Sequence, residues 1–286
     1  MRTLWGSATD RGRVRSLNED SLLAYPPVFL VADGMGGHDA GNVASRVVVD
    51  EFTTLVGRDT VAPEDVHRSF ARSAERMREV LGERTGGTTV AGAALTTIDD
   101  GEYWLVFNIG DSRVYRLADG VLEQVSVDHS VVQELLDTGQ IDAEFARTHP
   151  ERHVITRAVG TESAPEPDYW LIPIATADRL MMCSDGLTTE LTDERIAEGL
   201  RSFDDPQLAA DWLVGAAVEA GGRDNVTVVV VDVVSLSGGL SIGDATVTRG
   251  SAARRSQTQG PDGAAWDDEL HGPTVPQSTG GSGGVG

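Results

Sequence analysis

The chain has 286 residues, 23 of them basic and 45 acidic, for a formal net charge of −22, and a single cysteine. Every cation is an arginine and there is no lysine, which excludes a Walker-type phosphate loop, a kinase strand lysine and Schiff-base catalysis, since each needs an ammonium. The acidity argues against a nucleic-acid partner, whose phosphates are held by cationic side chains, and suits a protein that binds cations.

In chain order, β-type runs come first, at LWGSA (4–8), SLLAY (21–25) and VFLVA (28–32). Asn42 to Val56 then carries Val43, Val47, Val48, Phe52, Leu55 and Val56 at helical spacing. Pro63-Glu64-Asp65 reads as a helix first turn, leading into Val66, Phe70, Ala74, Met77 and Leu81 on one face. A meander follows through 88–98, 103–109 and 112–117, with Ala118-Asp119-Gly120 as the turn into VLEQVS. The stretch 130–158 is polar and helix-prone. Strands return at 169–174 and 179–183, helices at 192–200 and 206–219, and a last strand at 226–233. Strands in clusters separated by helix pairs predict an α+β fold: two stacked antiparallel sheets with helices on both outer faces.

After Ser235 the composition shifts. Residues 236–286 hold 12 of the 33 glycines and few large apolar side chains, too little burial to offset the entropy of ordering. The expectation is a folded domain over 1–235 and a disordered tail over 236–286. That tail contains Thr246, Thr248, Thr258 and Thr274, which a docking role would use if they were phosphorylated. Met1 to Gly12 has no apolar leader core, and no apolar run reaches the roughly 18 residues of a membrane span. Cys183 has no second cysteine to pair with. A reducing, cytoplasmic setting follows as the expectation.

Four aspartates share one context. Asp33, Asp111 and Asp185 each end an apolar run and are followed by a small residue, and Asp224 directly precedes a strand. Singly, such a step is a common turn signal. Together, with Asp33-Gly34 running on into Met35-Gly36-Gly37-His38, they suggest carboxylates placed where a sheet meets solvent. If they converge, each ionised pair at about 4 Å repels by about 4 kcal/mol at an effective dielectric near 20, so cations must separate them. All-oxygen ligands point to Mg²⁺ or Mn²⁺, and the six scattered histidines speak against zinc. A divalent pair can generate hydroxide at neutral pH and clamp a displacement at phosphorus. The phosphate then needs an arginine, and Arg15, just ahead of the Glu19-Asp20 pair, is the candidate. A cysteine phosphatase would need Arg at position 189, which is Thr189, and no G-x-S-x-G elbow is present. Cys183 reads as a buried small hydrophobe.

These residues resemble the bacterial metal-dependent protein serine/threonine phosphatases of the 2C type. The matching segments are TDRGRVRSLNED (9–20), VADGMGGHDAGNVAS (31–45), GGTT (86–89), NIGDSRVYR (108–116), HPERHVITRAVG (149–160), CSDGLT (183–188) and GRDNVTVVVVDV (222–233), in the family's order. The resemblance implies that 1–235 is a phosphatase catalytic domain. Asp33 would bridge two Mn²⁺ or Mg²⁺ ions, the Gly34 carbonyl would ligate one, and Asp185 and Asp224 would complete the other. Asp111 with Asp185 would form a weaker third-metal site, and Arg15 would grip the substrate phosphate. Glu19 and Asp20 match the acidic pair that acts directly or through water. Thr88 and Thr89 would be structural, and the 130–158 segment would be the flap beside the site. Met35 stands where eukaryotic relatives carry a histidine as general acid, and Asn42 stands where a glutamate is common. His38 is read as structural or as supporting the site. Implied partners are phosphorylated proteins, among them a serine/threonine kinase and its substrates. The alternative is a catalytically silent phosphoprotein-binding scaffold that retains the metals. A narrower role, as regulator of an anti-anti-sigma-type partner, would keep the chemistry.

Overall fold

The computed structural model describes residues 2–37, 39–99, 101–161 and 164–235, with the backbone of 248–251. The chain opens with β1 (Arg2–Asp10), β2 (Ser21–Tyr25), β3 (Val28–Ala32) and the short β4 (Gly34–Gly36), followed by α1 (Ala40–Thr53) and α2 (Pro63–Leu81). The meander is β5 (Gly86–Thr88), β6 (Val90–Ile98), β7 (Gly101–Ile109), β8 (Arg113–Ala118) and β9 (Val121–Gln124). Next come two short helices, α3 (Val131–Asp137) and α4 (Ala143–Ala146), then β10 (Asp168–Pro173), β11 (Arg179–Cys183) and α5 (Asp185–Glu190). The helices α6 (Asp193–Ser202) and α7 (Pro206–Ala220) precede β12 (Val226–Ser235), and Thr248–Ser251 forms β13 against β10.

Two antiparallel sheets result, in the orders β1-β12-β11-β8-β9 and β13-β10-β7-β6-β3-β2, with β4 and β5 as a separate two-stranded ribbon. Period-2 alternation decides what each strand buries. In β12, Val229, Val231 and Val233 face the other sheet, while Val226, Val228 and Val230 face the helices α5 to α7. In β7, Trp104 and Val106 fill the space between the sheets, and Leu105, Phe107 and Ile109 face α1 and α2. Three apolar layers therefore alternate with two sheets and two helix layers, the α-β-β-α order expected from the clustering of strands. β12 is apolar on both faces because both are covered.

The predicted elements are present, with shifted ends. The 130–158 stretch yields only α3 and α4, joined by turns, and neither helix buries a side chain. Polar residues without an apolar stripe give a helix nothing to pack, so most of the segment turns. Three elements have no signal in the sequence periodicity: the β4–β5 ribbon, α5, and β13, which lies within the expected tail and pairs with β10. The tail expected over 236–286 lies outside the described residues, apart from 248–251.

The helix-side layer under α1 and α2 centres on three phenylalanines. Phe107 stacks on Phe52 at 5.4 Å between ring centroids and meets Phe70 edge-on at 5.8 Å. Phe107→Ala removes the shared partner, and its cost should be about 3–5 kcal/mol, read as a lower midpoint in urea unfolding.

Candidate active site

Strand direction decides where the acids meet. β2 and β3 are antiparallel with Ser21 opposite Ala32, so Asp20, just before β2, and Asp33, just after β3, share one end of the sandwich. β11 and β12 pair with Cys183 opposite Val228, which brings Asp185 and Asp224 to the matching end of the other sheet. β7 runs in the direction of β3 across the antiparallel β6, and Asp111 follows it. β1 ends at the same rim, Asp10 opposite Val226, and the loop from Arg11 to Asp20 carries Arg15 past the acids.

Neither Asp-Gly step here is a hairpin turn. Asp33-Gly34 continues from β3 into β4, and a Cβ at Gly34 would lie 2.2 Å from the Gly41 carbonyl oxygen. Asp185-Gly186 opens α5, and a Cβ at Gly186 would lie 2.0 Å from the Asn225 oxygen. Both glycines permit backbones to approach closely beside a carboxylate.

Asp33 is clamped through its backbone. Its carbonyl accepts from the Thr88 hydroxyl (2.8 Å) and the Thr89 N–H (2.9 Å), and its N–H donates to the Thr89 hydroxyl (3.2 Å). The structural part expected of Thr88 and Thr89 is thus to hold Asp33. Asp20 Oδ2 accepts from the hydroxyls of Ser184 (2.8 Å) and Thr227 (2.7 Å), while its Oδ1 is buried with no hydrogen-bond partner. Ser184 sits at the N-cap of α5 yet caps nothing, because its hydroxyl donates to Asp20 and accepts from the Thr227 N–H (3.0 Å). A normal cap has been diverted to the acid cluster. Asn225 pins the Arg15 loop by donating to the carbonyls of Arg11 and Leu17, both 2.9 Å, and accepting from the Glu19 N–H at 2.9 Å. Arg15 itself is half-exposed and donates to Asp224 Oδ2 at 2.7 Å.

The acids act as one electrostatic unit. Burial, then the charges of Asp20, Asp185, Asp111 and Asp224, hold the Asp33 carboxyl well above the ordinary range. Asp185 is raised by burial and by Asp224, with His153 and Arg15 pulling the other way. Asp111 is pushed up to about 8 by burial, Asp185 and Asp128. Asp20 is pushed up to about 7 by burial, against the two hydroxyl bonds, with Asp185 and Asp224 adding repulsion. The hydrogen bond to Asp224 raises the Arg15 pKa further, with a smaller contribution from Glu19. Burial pushes the Cys183 thiol up to about 12, in keeping with a core residue and not a nucleophile.

The donor set suits a hard divalent cation: clustered carboxylate oxygens, one of them an orphaned buried atom, whose repulsion only added positive charge relieves. Among the described residues, no three His, Cys, Asp or Glu side chains already close on one ion position. Asp224 is turned to Arg15, and Asp20 to its two hydroxyls. His38 lies outside the described residues.

Beside the rim, a cavity of about 880 Å³ runs between the flap and the start of α6. Asp111, Asp185, Arg113, Asp128, Arg147 and His153 are among the side chains on its walls. Sequence reasoning did not find Ser184, Thr227, Asn225, Asp128 or His153. Each takes part through a contact distant in sequence. The quoted runs HPERHVITRAVG, CSDGLT and GRDNVTVVVVDV contain His153, Ser184, Asn225 and Thr227 without showing what they touch.

A family model for protein phosphatase 2C matches residues 12–216. The serine/threonine phosphatase stp of Listeria monocytogenes is 36% identical over 242 residues, which cover 78% of this chain and 93% of that protein. The crystal structure of the Mycobacterium tuberculosis serine/threonine phosphatase PstP/Ppp superposes with a TM-score of 0.72 at 36% identity, covering 82% of this chain and 99% of that one. A catalytic domain of PstP in complex with two manganese ions gives 0.71 at 34% identity, with 82% and 99% covered. The chain belongs to the protein phosphatase 2C family, whose members are metal-dependent. Among the described residues, no helix is long and apolar enough to cross a membrane.

A carboxyl whose pKa is raised by folding binds its proton more tightly folded than unfolded. Its contribution to stability is complete below the unfolded value and is lost as pH rises through the folded one. With EDTA present, the melting temperature should therefore fall as pH rises from about 5 to about 8, and Asp20→Asn or Asp111→Asn should flatten that slope. Mn²⁺ should restore more stability at the alkaline end. Scanning calorimetry in EDTA that showed stability rising across this window would contradict the clustering.

Proposed function

We infer that this protein hydrolyses phosphoserine and phosphothreonine esters in proteins. The carrying observation is the convergence of Asp20, Asp33, Asp111, Asp185 and Asp224 on one rim with Arg15 beside them. Its serine/threonine phosphatase relatives supply the substrate class. Two Mn²⁺ or Mg²⁺ ions, when bound, would activate a water molecule at neutral pH and neutralise charge on the phosphoryl group.

Asp33 faces all the other acids and would bind both ions, with the Gly34 carbonyl on one of them and Asp185 and Asp224 completing the other. Asp111 with Asp185 is the proposed place of a third. Asp20 would turn its unpartnered Oδ1 inward, directly or through water, while Ser184 and Thr227 hold its other oxygen, and Glu19 stands next to it. Among the described residues, Arg15 is bonded to the rim through Asp224 alone, so its fork can pass to a phosphate dianion, which offers several oxygens in place of one carboxylate. The flap and the cavity it borders would receive the protein around the phosphorylated residue. Met35, next to Gly34, carries no proton to give a leaving alkoxide.

The scaffold alternative is not favoured: every acid of the cluster is present, and the matched relatives are named as phosphatases. A serine/threonine kinase is the proposed opposing activity, and its phosphorylated substrates are the proposed partners. The one cysteine is free and buried, and a cytoplasmic location is part of the proposal.

Phosphate release from a phosphothreonine peptide should require Mn²⁺ or Mg²⁺ and stop with EDTA. Asp33→Ala and Asp185→Ala should reduce it to background, and turnover within about tenfold of the wild type would defeat the assignment. Arg15→Ala should raise KM about tenfold to a hundredfold with a smaller change in kcat, as loss of a charge-assisted phosphate contact predicts.

A further inference from the structure

The flap is rooted on one buried histidine that the sequence patterns did not single out. His129 immediately precedes the flap and is 5% exposed. Its Nδ1 accepts from the Gly110 N–H at 3.1 Å, its own N–H donates to the Gly110 carbonyl at 2.9 Å, and its carbonyl accepts from the Thr156 N–H at 2.8 Å. A backbone N–H can only donate, so Nδ1 is the unprotonated nitrogen and the ring proton sits on Nε2. Nε2 lies 3.4 Å from Asp168 Oδ2 on β10. Arg157 Nη1 is also 3.4 Å from Nε2. Two donors cannot bond each other, so Arg157 is held instead by Asp168 Oδ1, at 3.5 Å. One carboxylate thus ties the beginning and the end of the flap to the sheet.

Gly110 is the residue directly before Asp111. It has φ 102°, and a Cβ there would lie 2.6 Å from Thr89. The Asn108 side-chain amide also donates to its carbonyl, at 3.1 Å. At the other flap root, Val159 and Thr88 exchange both backbone hydrogen bonds at 2.9 Å, and the Thr88 hydroxyl holds the Asp33 carbonyl. One root is therefore bonded to the backbone that carries Asp111, and the other to the backbone that carries Asp33.

We propose that His129 is a positioning residue that links the flap to the acid rim: its Nδ1–Gly110 bond sets the backbone from which Asp111 projects, and its Nε2–Asp168 bond holds the ring in place. Movement of the flap and the placing of Asp111 then become one event. The proposal rests on the phosphatase reading for what Asp111 binds, but not for the coupling itself.

Two substitutions separate the bonds. His129→Asn places a carbonyl oxygen where Nδ1 was and loses the reach to Asp168. His129→Gln places an amide N–H where Nε2 was and loses the acceptor for Gly110. With both variants folded by circular dichroism, His129→Asn should lose less affinity for Mn²⁺ in calorimetric titration, and less turnover of p-nitrophenyl phosphate, than His129→Gln. His129→Gln should lose about tenfold or more in affinity for its weakest-bound Mn²⁺ and in kcat with little change in KM, the range seen when a ligand's supporting contact is removed. Equal behaviour of the two variants, or a milder loss in His129→Gln, overturns the proposal. Hydrogen exchange on the wild type decides independently of any variant. The amides of Gly110, Val131 and Thr156 should open with one shared free energy, and a Gly110 amide protected separately from the flap amides overturns the coupling. A wild type that fails on the phosphothreonine peptide would sink the phosphatase reading, while the exchange measurement would still report on His129.

Discussion

Ionised carboxylates at contact distance repel by several kcal/mol even under surface-like screening, and this chain gathers Asp20, Asp33, Asp111, Asp185 and Asp224 on a single rim. Their surroundings are arranged to hold them there. Thr88 and Thr89 spend their hydrogen bonds on the Asp33 backbone. Ser184 gives up capping α5 to reach Asp20. Gly34 at the start of β4 and Gly186 in the first turn of α5 approach neighbouring carbonyls more closely than any side chain would permit. Among the described residues, Arg15 is the cation hydrogen-bonded to the cluster, through Asp224. A cluster of this kind opposes folding until positive charge enters it, so the repulsion among the acids makes the rim a strained part of the fold.

That strain is tolerable because the apolar layers lie elsewhere. The space between the sheets is filled by Phe29, Trp104, Val106, Met182 and Val229, and each helix layer has its own apolar interface. Strand ends project from this frame as short, rigidly based segments, which suits ligands that must hold their geometry. The α-β-β-α order also explains why the acids come from positions as far apart as 20 and 224. Antiparallel neighbours start and end at the same edge, so residues remote in sequence become adjacent whenever their strands pair.

The flap is the contrasting part of the molecule. α3 and α4 bury no side chain, and the segment is attached at its roots more than along its length. Its two ends are bonded to the backbone that precedes Asp111 and to the backbone that holds Asp33.

Much of this was legible in the linear chain because it depends on local chemistry. Alternation in VTVVVVDV, helical spacing from Val66 to Leu81 and the Asp119-Gly120 turn each follow from short-range geometry, and the acid-plus-small-residue steps marked the ligand candidates. The unseen parts are those with no local signature. The β4–β5 ribbon joins Gly34 to Thr88, across fifty-odd residues. α5 is too short to show a period. The polar flap reads as helix by composition but has no apolar stripe to keep it helical. Ser184, Thr227, Asn225 and His129 are ordinary residues until folding sets them against Asp20, the Arg15 loop and Gly110. The amino-acid order by itself determined the layers and the kind of oxygen-rich site, since side-chain period and charge are properties of the chain. Which oxygens face one another, and which neutral groups hold them there, was decided only by strand pairing and tertiary contact, because repulsion and hydrogen bonding depend on distances that the linear order does not contain.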